Sequence, residues 1–164
     1  MVEFSQSFLR EIFIYNDGKL YWKIKPSRNV NIGDRAGSQN NDGYRVIKIN
    51  QKRIAEHRVI FMFYNGYLPD KIDHQDRNKL NNHIDNLREC TSQQNQYNRK
   101  ATKNSSSKYK GVGWKKQANK WQAFITINGK NSHLGYYDNE DDAARAYDKA
   151  ARERHGEFAS PNFG

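Results

Sequence analysis

The sequence has a single cysteine, Cys90, which excludes an internal disulfide and any zinc site made only of cysteines. It has no apolar run near the ~18 residues that a membrane-spanning helix needs. Hydrophobic residues make up 35% of the 164 positions, and the mean hydropathy is -1.11, so one large core is not expected. The N-terminus lacks the basic and apolar stretches of a secretion signal. We therefore expect a cytoplasmic protein of small domains, with no membrane partner and no disulfide partner.

Acidic residues are absent between Cys90 and Tyr137. The same stretch carries nine basic residues, namely Arg99, Lys100, Lys103, Lys108, Lys110, Lys115, Lys116, Lys120 and Lys130. The whole chain has a formal net charge of +10, and its aromatic content of 13% is too high for a disordered chain. A basic surface with interspersed aromatics favours a nucleic-acid partner, and an ordinary solvated face is the alternative.

The spacing of turn signals and apolar residues predicts an α+β protein of two units. Residues 1–100 would hold N-terminal strands and a helix over 54–64, residues 101–106 a polar linker, and residues 107–164 a second domain. In the second domain we predict strands over 109–114, 120–127 and 131–136, followed by a helix over 139–154. The three strands would form an antiparallel sheet packed on that helix.

One segment of the first unit carries candidate chemistry. Residues 71–88 predict a short strand, a turn-rich loop and a second short strand, and a helix through about Arg99 follows. Asp73 and His74 are adjacent in the first strand, and a carboxylate beside an imidazole suits metal-assisted phosphodiester hydrolysis. Taken alone, an Asp-His pair is far more typical of a surface turn.

The wider pattern resembles the HNH (ββα-metal) nuclease family, in the phage and intron-associated branch where Asn replaces the last His. The matching elements are Ile72-Asp73-His74, Asn81 to Leu87 and Thr91 to Asn95, together with Glu56 to Val59 and Gly66 to Pro69 upstream. The resemblance covers roughly residues 43–100.

This resemblance implies a role for each of four side chains. His74 would be the general base, and Asp73 and Asn95 would hold one divalent metal. Asn86 would orient and pin the strand that carries His74. An amide ligand in place of imidazole favours Mg²⁺ or Mn²⁺ over Zn²⁺. Neighbours on a regular strand face opposite sides, so Asp73 and His74 share a site only if the strand is distorted or the phosphate lies across its edge.

In the second unit, strand alternation predicts that Gln122, Phe124 and Thr126 face away from the helix. Residues 107–136 carry a net charge of +6 and residues 137–164 carry -3, which would orient the sheet toward DNA. The unit resembles the APETALA2/ethylene-response-factor DNA-binding domain, through segments such as Lys120 to Ala123 and Ala143 to Asp148. The positions that match the family's DNA contacts are Lys110, Gly111, Lys115, Phe124, Thr126, Asn131 and His133. Gly113, Phe124, Thr126 and Asn131 depart from the plant pattern, so the resemblance does not carry over the DNA sequence preference.

Together, the two resemblances predict a site-selective endonuclease of double-stranded DNA, similar to phage-type homing endonucleases and acting in the host cytoplasm if it is phage-encoded. One active site per chain leaves two modes open: nicking by a monomer, and a double-strand cut by a dimer assembled on DNA. The main alternative is a DNA-binding regulator with an inactive nuclease centre. An RNA-binding protein has only charge and aromatics in its favour. The sequence does not define the target site or the metal used in the cell.

Overall fold

The computed structural model describes residues 4–99 and 105–164, and its mixture of helices and small antiparallel sheets confirms the predicted α+β class. Contacts divide the chain into two compact units, Met1–Thr91 and Ser92–Gly164. The predicted domain bounds (1–100, 101–106 and 107–164) remain a prediction, and residues 101–104 of the predicted linker lie outside the described residues. None of the described helices is both long enough and apolar enough to cross a bilayer.

The first unit alternates short helices with short antiparallel strands. Its elements are α1 (Gln6–Ile12), β1 (Phe13–Asn16), β2 (Lys19–Trp22), β3 (Ser38–Gln39), β4 (Arg45–Ile49), β5 (Lys52–Ala55), α2 (Glu56–Asn65), β6 (Ile72–His74) and β7 (Leu87–Glu89). They form three small sheets with the strand orders β1-β2, β3-β4-β5 and β6-β7. A short 3₁₀ turn over Ile84–Asn86 leads into β7.

Local chemistry explains where the elements of the first unit begin and end. Asp17 and Gly18 both have positive φ angles, 45° and 73°, so they form the two-residue turn that joins β1 to β2. The Ser5 hydroxyl accepts a hydrogen bond from the backbone N–H of Phe8 and so caps α1. Helix α2 ends at Gly66 in the left-handed conformation, as the stop signal there predicts.

The core of the first unit is an apolar cluster to which both helices and five strands contribute. Leu9 from α1, Phe13 from β1, Leu20 from β2, Ile47 from β4 and Ile60 from α2 are all at most 1% exposed. These residues come from elements far apart in sequence, so the packing of α1 and α2 on the strands fixes the position of the segment that follows α2.

The second unit begins with α3 (Ser92–Tyr97) and continues with β8 (Val112–Lys115), β9 (Lys120–Ile127), β10 (Lys130–Tyr137) and α4 (Glu140–His155). The sheet has the order β10-β9-β8, and α4 packs on it, as predicted. The buried apolar residues of α4 are Ala143, Ala144, Tyr147, Ala150 and Ala151. Small alanines let the helix approach the sheet closely.

Two glycines of the second unit have positive φ angles, and one of them also permits close packing. Gly111 has a φ of 72°, and a Cβ there would lie 2.0 Å from the Tyr147 ring. Asn128 and Gly129 both have positive φ angles and form the predicted turn between β9 and β10. A register shift between His133 and Gly135 interrupts the β9–β10 ladder, and the alternation pattern did not predict it.

Candidate active site

Strands β6 and β7 bring the predicted nuclease residues of the first unit into one hairpin. Asp73 pairs with Arg88 and His74 pairs with Leu87, with no register shift between them. The ladder is regular, so β6 has no bulge that turns Asp73 and His74 to the same side. Whether Asp73 and His74 act on one site, with a phosphate across the strand edge, stays a prediction.

Side-chain hydrogen bonds order the loop between β6 and β7. Asp76 is central to them: its carboxylate accepts bonds from the Asn81 amide at 2.7 Å, the Asn86 amide at 2.9 Å and the backbone N–H of Asn78 at 2.8 Å. Partial burial acts in the opposite direction, but these bonds lower the pKa of Asp76. The loop is therefore held in one shape by its own polar residues.

Asn86 fastens the residues that directly follow His74. Its Oδ1 accepts the backbone N–H of Asp76 at 3.0 Å, and its backbone oxygen accepts the N–H of Gln75 at 2.9 Å. Its amide also donates to the backbone oxygen of Asn81 at 2.7 Å. These contacts attach Asn86 to the backbone just after β6, and its role in orienting the strand that carries His74 stays a prediction.

Asp73 is 5% exposed and forms an ion pair across the hairpin. Its Oδ2 accepts hydrogen bonds from Arg88 Nη2 at 2.8 Å and from Arg88 Nε at 3.0 Å. A cation bound by Asp73 would therefore share this carboxylate with a guanidinium group. The sequence analysis gave Arg88 no role, although the two short strands predicted within residues 71–88 were a signal that a residue of the second strand could pair with Asp73.

His74 is 6% exposed and lies at the end of a buried polar chain. Its Nε2 is 2.9 Å from Oδ1 of Asn82, and the Asn82 amide nitrogen donates to Oε2 of Glu56 at 2.8 Å. Asn82 is 1% exposed and Glu56 is fully buried. The general-base candidate thus contacts a fixed amide that is itself held by a carboxylate.

Glu56, the first residue of α2, is neutralised inside the unit. Arg35 forms an ion pair with it through both guanidinium Nη atoms, and the backbone N–H of Leu20 donates to Oε1 at 3.1 Å. Burial of a carboxylate is tolerated because these donors replace its water. We name this chain of Arg35, Glu56 and Asn82 the buried relay.

The loop that carries Asn82 also packs on the β1–β2 turn. A Cβ on Gly18 would lie 2.8 Å from the backbone nitrogen of His83 and 3.2 Å from the carbonyl carbon of Asn82. Glycine at this turn therefore permits close approach as well as a positive φ. The β1–β2 hairpin thus supports the loop between β6 and β7.

Aromatic rings surround the other side of His74. The His57 ring centroid is 5.0 Å from that of His74, and Tyr44 is 5.4 Å from His57. Burial, with smaller contributions from His74 and Arg58, lowers the pKa of His57 to about 3. His57 is therefore neutral at physiological pH and does not place a second charge beside His74.

The remaining predicted metal ligand lies in the other unit. Asn95 is half-buried on α3, which contacts place in the second unit, so its convergence with Asp73 remains a prediction. Among residues 4–99 and 105–164, no three His, Cys, Asp or Glu side chains lie close enough together to hold a metal ion. That finding concerns groups of three such side chains. It therefore does not test the predicted metal site, which has one carboxylate and one amide.

The outer face of the second unit's sheet presents polar groups that pair across strands. Thr126 Oγ1 donates to Asn131 Oδ1 at 2.6 Å, and Gln122 Nε2 is 3.0 Å from His133 Nδ1. Thr126, Asn131, His133 and Lys115 are exposed and Phe124 is half-buried. Five of the predicted DNA-contacting residues therefore lie on β8, β9 and β10 at positions that face away from α4.

The other two predicted contacts have structural roles inside the second unit. Lys110 donates from Nζ to the backbone oxygen of Tyr97, and its own backbone N–H donates to Asn162 at 2.8 Å. Gly111 leaves room for the Tyr147 ring. Their contact with DNA stays a prediction, because these packing contacts are enough to account for both residues.

Tyr136 is a surface residue that the sequence analysis missed. Strict alternation along β10 from His133 would turn Tyr136 inward, but the register shift pairs it with Gln122 and leaves it 45% exposed. Its ring centroid is 4.5 Å from that of His133. The outer face therefore carries an additional aromatic group beside its amides and hydroxyl.

Comparison with known proteins agrees with this geometry. Residues 55–97 match the family described as HNH endonuclease. The chain is 41% identical over 109 residues to a protein of Acanthamoeba polyphaga mimivirus that is named an uncharacterized HNH endonuclease, which covers 65% of this chain and 56% of that protein. It is 35% identical over 110 residues to Protein 3.8 of Escherichia phage T7, which covers 66% of this chain and 90% of that protein.

A further likeness is shorter. An AP2-like ethylene-responsive transcription factor of Arabidopsis thaliana is 38% identical to the chain over 65 residues, which is 40% of this chain and 13% of that protein. The likeness to the plant protein is thus partial, whereas the viral relatives are matched over a larger part of this chain. On the match over residues 55–97 and the phage relative covered almost throughout, the chain belongs to the HNH endonuclease family.

Proposed function

We propose that the chain is a site-selective endonuclease that hydrolyses a phosphodiester bond of double-stranded DNA, with His74 as general base. The observation that carries the proposal is the hairpin of β6 and β7, in which His74 lies next to Asp73 and is followed by a turn that Asn86 pins. Membership in the HNH endonuclease family supports the nuclease activity, and HNH nucleases generally depend on a divalent metal.

The predicted donors fit such a metal by their chemistry. The carboxylate of Asp73 and the amide oxygen of Asn95 are hard oxygen ligands, and Mg²⁺ is commonly bound by one or two protein groups with water and phosphate in its other positions. Mg²⁺ and Mn²⁺ are therefore the favoured ions. The chemistry that the bound ion supplies is neutralisation of charge at the scissile phosphate and at the leaving 3′ oxygen.

The protein's own groups then perform the proton transfer and the positioning. His74 takes a proton from a water molecule, whose oxygen forms a bond to phosphorus while the bond from phosphorus to the 3′ oxygen breaks. The leaving oxygen receives a proton from solvent. Asn86 keeps the backbone after His74 in place, and the neutral His57 ring beside it adds no competing charge.

The outer face of the sheet in the second unit is proposed to hold and partly read the duplex. An exposed antiparallel sheet is one of the elements that enter a DNA groove, and its side-chain amides and hydroxyls match the hydrogen-bonding edges of bases. Lys115 is exposed on β8 and lies in the stretch without acidic residues. The likeness to plant AP2-type proteins supports this assignment, while the departures at several contact positions argue for a different target.

The proposed enzyme is a phage-type homing endonuclease that acts in the cytoplasm of a host, and the relatives from a mimivirus and a bacteriophage support a viral origin. One centre per chain cuts one strand per encounter. A nick by a monomer, or a double-strand break by two chains assembled on the DNA, are the two outcomes of this proposal.

One experiment tests both parts. Supercoiled plasmid and duplexes with candidate sites are incubated with the full chain, with and without Mg²⁺, and binding is followed by gel shift. His74→Ala should abolish cleavage and keep binding, while His83→Ala, a half-exposed histidine of the same loop, should retain both. Lys115→Ala should weaken binding and its salt dependence, and Lys149→Ala, exposed on α4, should not.

The competing function is a DNA-binding regulator. Binding of a genuine target by the wild-type chain without any metal-dependent cutting would favour it. Cleavage that survives His74→Ala would instead contradict the assignment of the general base.

A further inference from the structure

The buried relay contacts His74 on one ring nitrogen, and the chemistry of its members determines which nitrogen carries the proton. We propose that Asn82 is a positioning residue that holds neutral His74 with the proton on Nε2 and so makes Nδ1 the atom that accepts a proton from water. This inference rests on the proposed function, in which His74 is the general base.

Glu56 is the fully buried, central member of the relay. Glu56 forms an ion pair with Arg35 through both carboxylate oxygens, and Oε1 also accepts the backbone N–H of Leu20. An ionised carboxylate only accepts hydrogen bonds. The Asn82 group that faces Oε2 at 2.8 Å must therefore be the amide NH₂, so the orientation of the Asn82 amide follows from the charge on Glu56.

The same reasoning fixes the next contact. With its NH₂ directed at Glu56, Asn82 presents its oxygen to Nε2 of His74 at 2.9 Å. An amide oxygen accepts and cannot donate, so Nε2 must carry a hydrogen. In a neutral imidazole the other nitrogen then holds the lone pair, and the hydrogen bond made by one nitrogen sets the tautomer of the ring.

The relay is also suited to hold the ring in place. Asn82 and Glu56 are both at most 1% exposed, so water does not compete with these hydrogen bonds. The members come from the loop between β2 and β3, the start of α2 and the β6–β7 loop, and they therefore tie His74 to three other segments of the first unit. A general base held in this way keeps its lone pair directed without reorganisation during the reaction.

The test measures the tautomer directly in the full chain without metal. Nitrogen NMR of the histidine side chains at pH 8 distinguishes a protonated ring nitrogen from an unprotonated one. Wild-type His74 should show the proton on Nε2, and Asn82→Leu should show a mixture of tautomers. With Mg²⁺ and DNA, Asn82→Leu should lower kcat about 10- to 100-fold and leave KM within about two-fold.

The neighbouring residue of the loop provides the matched control. Asn81→Ala removes the hydrogen bond to Asp76 but does not touch the relay, so it disturbs the loop while the His74 tautomer should stay as in wild type. If Asn82→Leu does not fold, Glu56→Gln replaces it. A neutral amide at that position both donates and accepts hydrogen bonds, so the side-chain amide of Asn82 can flip. The His74 tautomers should then again be mixed.

The outcomes separate this inference from the function on which it rests. A wild-type chain with the proton on Nδ1, or an Asn82→Leu chain that keeps the wild-type tautomer, overturns the relay and leaves nuclease activity untouched. A wild-type chain that cuts no DNA overturns the proposed function, and with it the catalytic purpose of the relay, even when the tautomer changes as expected.

Discussion

The two units differ in where their paired polar side chains lie. In the first unit Glu56, Asn82 and His74 are buried and hydrogen-bonded to one another, whereas in the second unit Thr126 and Asn131 form their pair on an exposed sheet. Burial fixes orientation at the cost of desolvation, and exposure leaves groups available to a partner. In the proposed function, the first unit holds the reacting groups and the second presents contacts to DNA.

A pair of buried carboxylates sharpens the same contrast. Glu56 is part of the relay to His74, while Asp148 on α4 accepts hydrogen bonds from the backbone N–H groups of Asn162 and Phe163 at 2.7 and 2.9 Å. The second carboxylate closes the C-terminal segment onto the helix. The two carboxylates are similarly buried but have different partners. Glu56 belongs to a network of polar side chains, whereas Asp148 binds backbone N–H groups.

The largest expected effect concerns the ion pairs of the two units. Glu56→Ala should lower the free energy of unfolding of the first unit by about 3–5 kcal/mol, because Arg35 would lose its buried partner. Asp138→Ala, which removes the partner of Lys120 in a pair whose carboxylate is 87% exposed, should change stability by no more than about 1 kcal/mol. Urea unfolding of each variant gives both values. Equal losses would mean that burial does not distinguish the two pairs.

A smaller effect is expected from the glycines of the second unit. Gly111→Ala combines a positive φ with a methyl group placed against Tyr147, and should destabilise the second unit by about 2–4 kcal/mol. Gly129→Ala shares the positive φ of 74° but meets no atom within 4 Å, so it should cost about 1 kcal/mol. Thermal or urea unfolding of the two variants gives both losses, and their difference is the cost of the clash with Tyr147 beyond the cost of the positive φ. A Gly111→Ala chain as stable as Gly129→Ala would show that the sheet and α4 can move apart.

The smallest expected effect is a loss of unfolding free energy at acidic pH. Burial keeps the pKa of His57 at about 3, whereas the unfolded chain binds that proton near the ordinary value of 6.5. The contribution of the neutral ring to stability is therefore complete above pH 6.5 and is lost progressively as the pH falls toward 3. Between pH 6.5 and 4.5 the loss should reach about 2 kcal/mol.

The control for this prediction keeps the ring but removes the titration. His57→Phe should give a flatter dependence of unfolding free energy on pH over the same range. His155 in the second unit has a pKa lowered by burial too, and its contribution has the same sign, so the difference between wild type and variant isolates His57. Parallel curves for the two chains would contradict the burial of a neutral His57.

Elements specified by short-range chemistry were predictable. The Asn128-Gly129 turn and the helix after it follow from neighbouring residues, and α4 extends over Glu140–His155 where 139–154 was predicted. The first strand of the same sheet was placed too early, at 109–114 instead of Val112–Lys115. The helix predicted through about Arg99 ends at Tyr97. Such ends depend on tertiary contacts that no local pattern contains.

The relay was not predictable from local patterns, since its members are 21 and 26 residues apart in sequence. One signal was present: a carboxylate at Glu56 inside the mostly apolar stretch over 54–64 needs a partner when that stretch is buried. Its partner could not be chosen among the many arginines without the fold. The role of Asn95 also stays a prediction, because it requires Asn95 of the second unit and Asp73 of the first unit to bind the same metal ion.

The close packing of Gly18 against the backbone at Asn82 and His83 bears on how portable the nuclease motif is. The match to the family begins at residue 55, yet Gly18, Leu20 and Arg35, which support the loop and neutralise Glu56, all precede it. A transplant of residues 55–97 alone into another host protein would carry the imidazole but leave its scaffold behind.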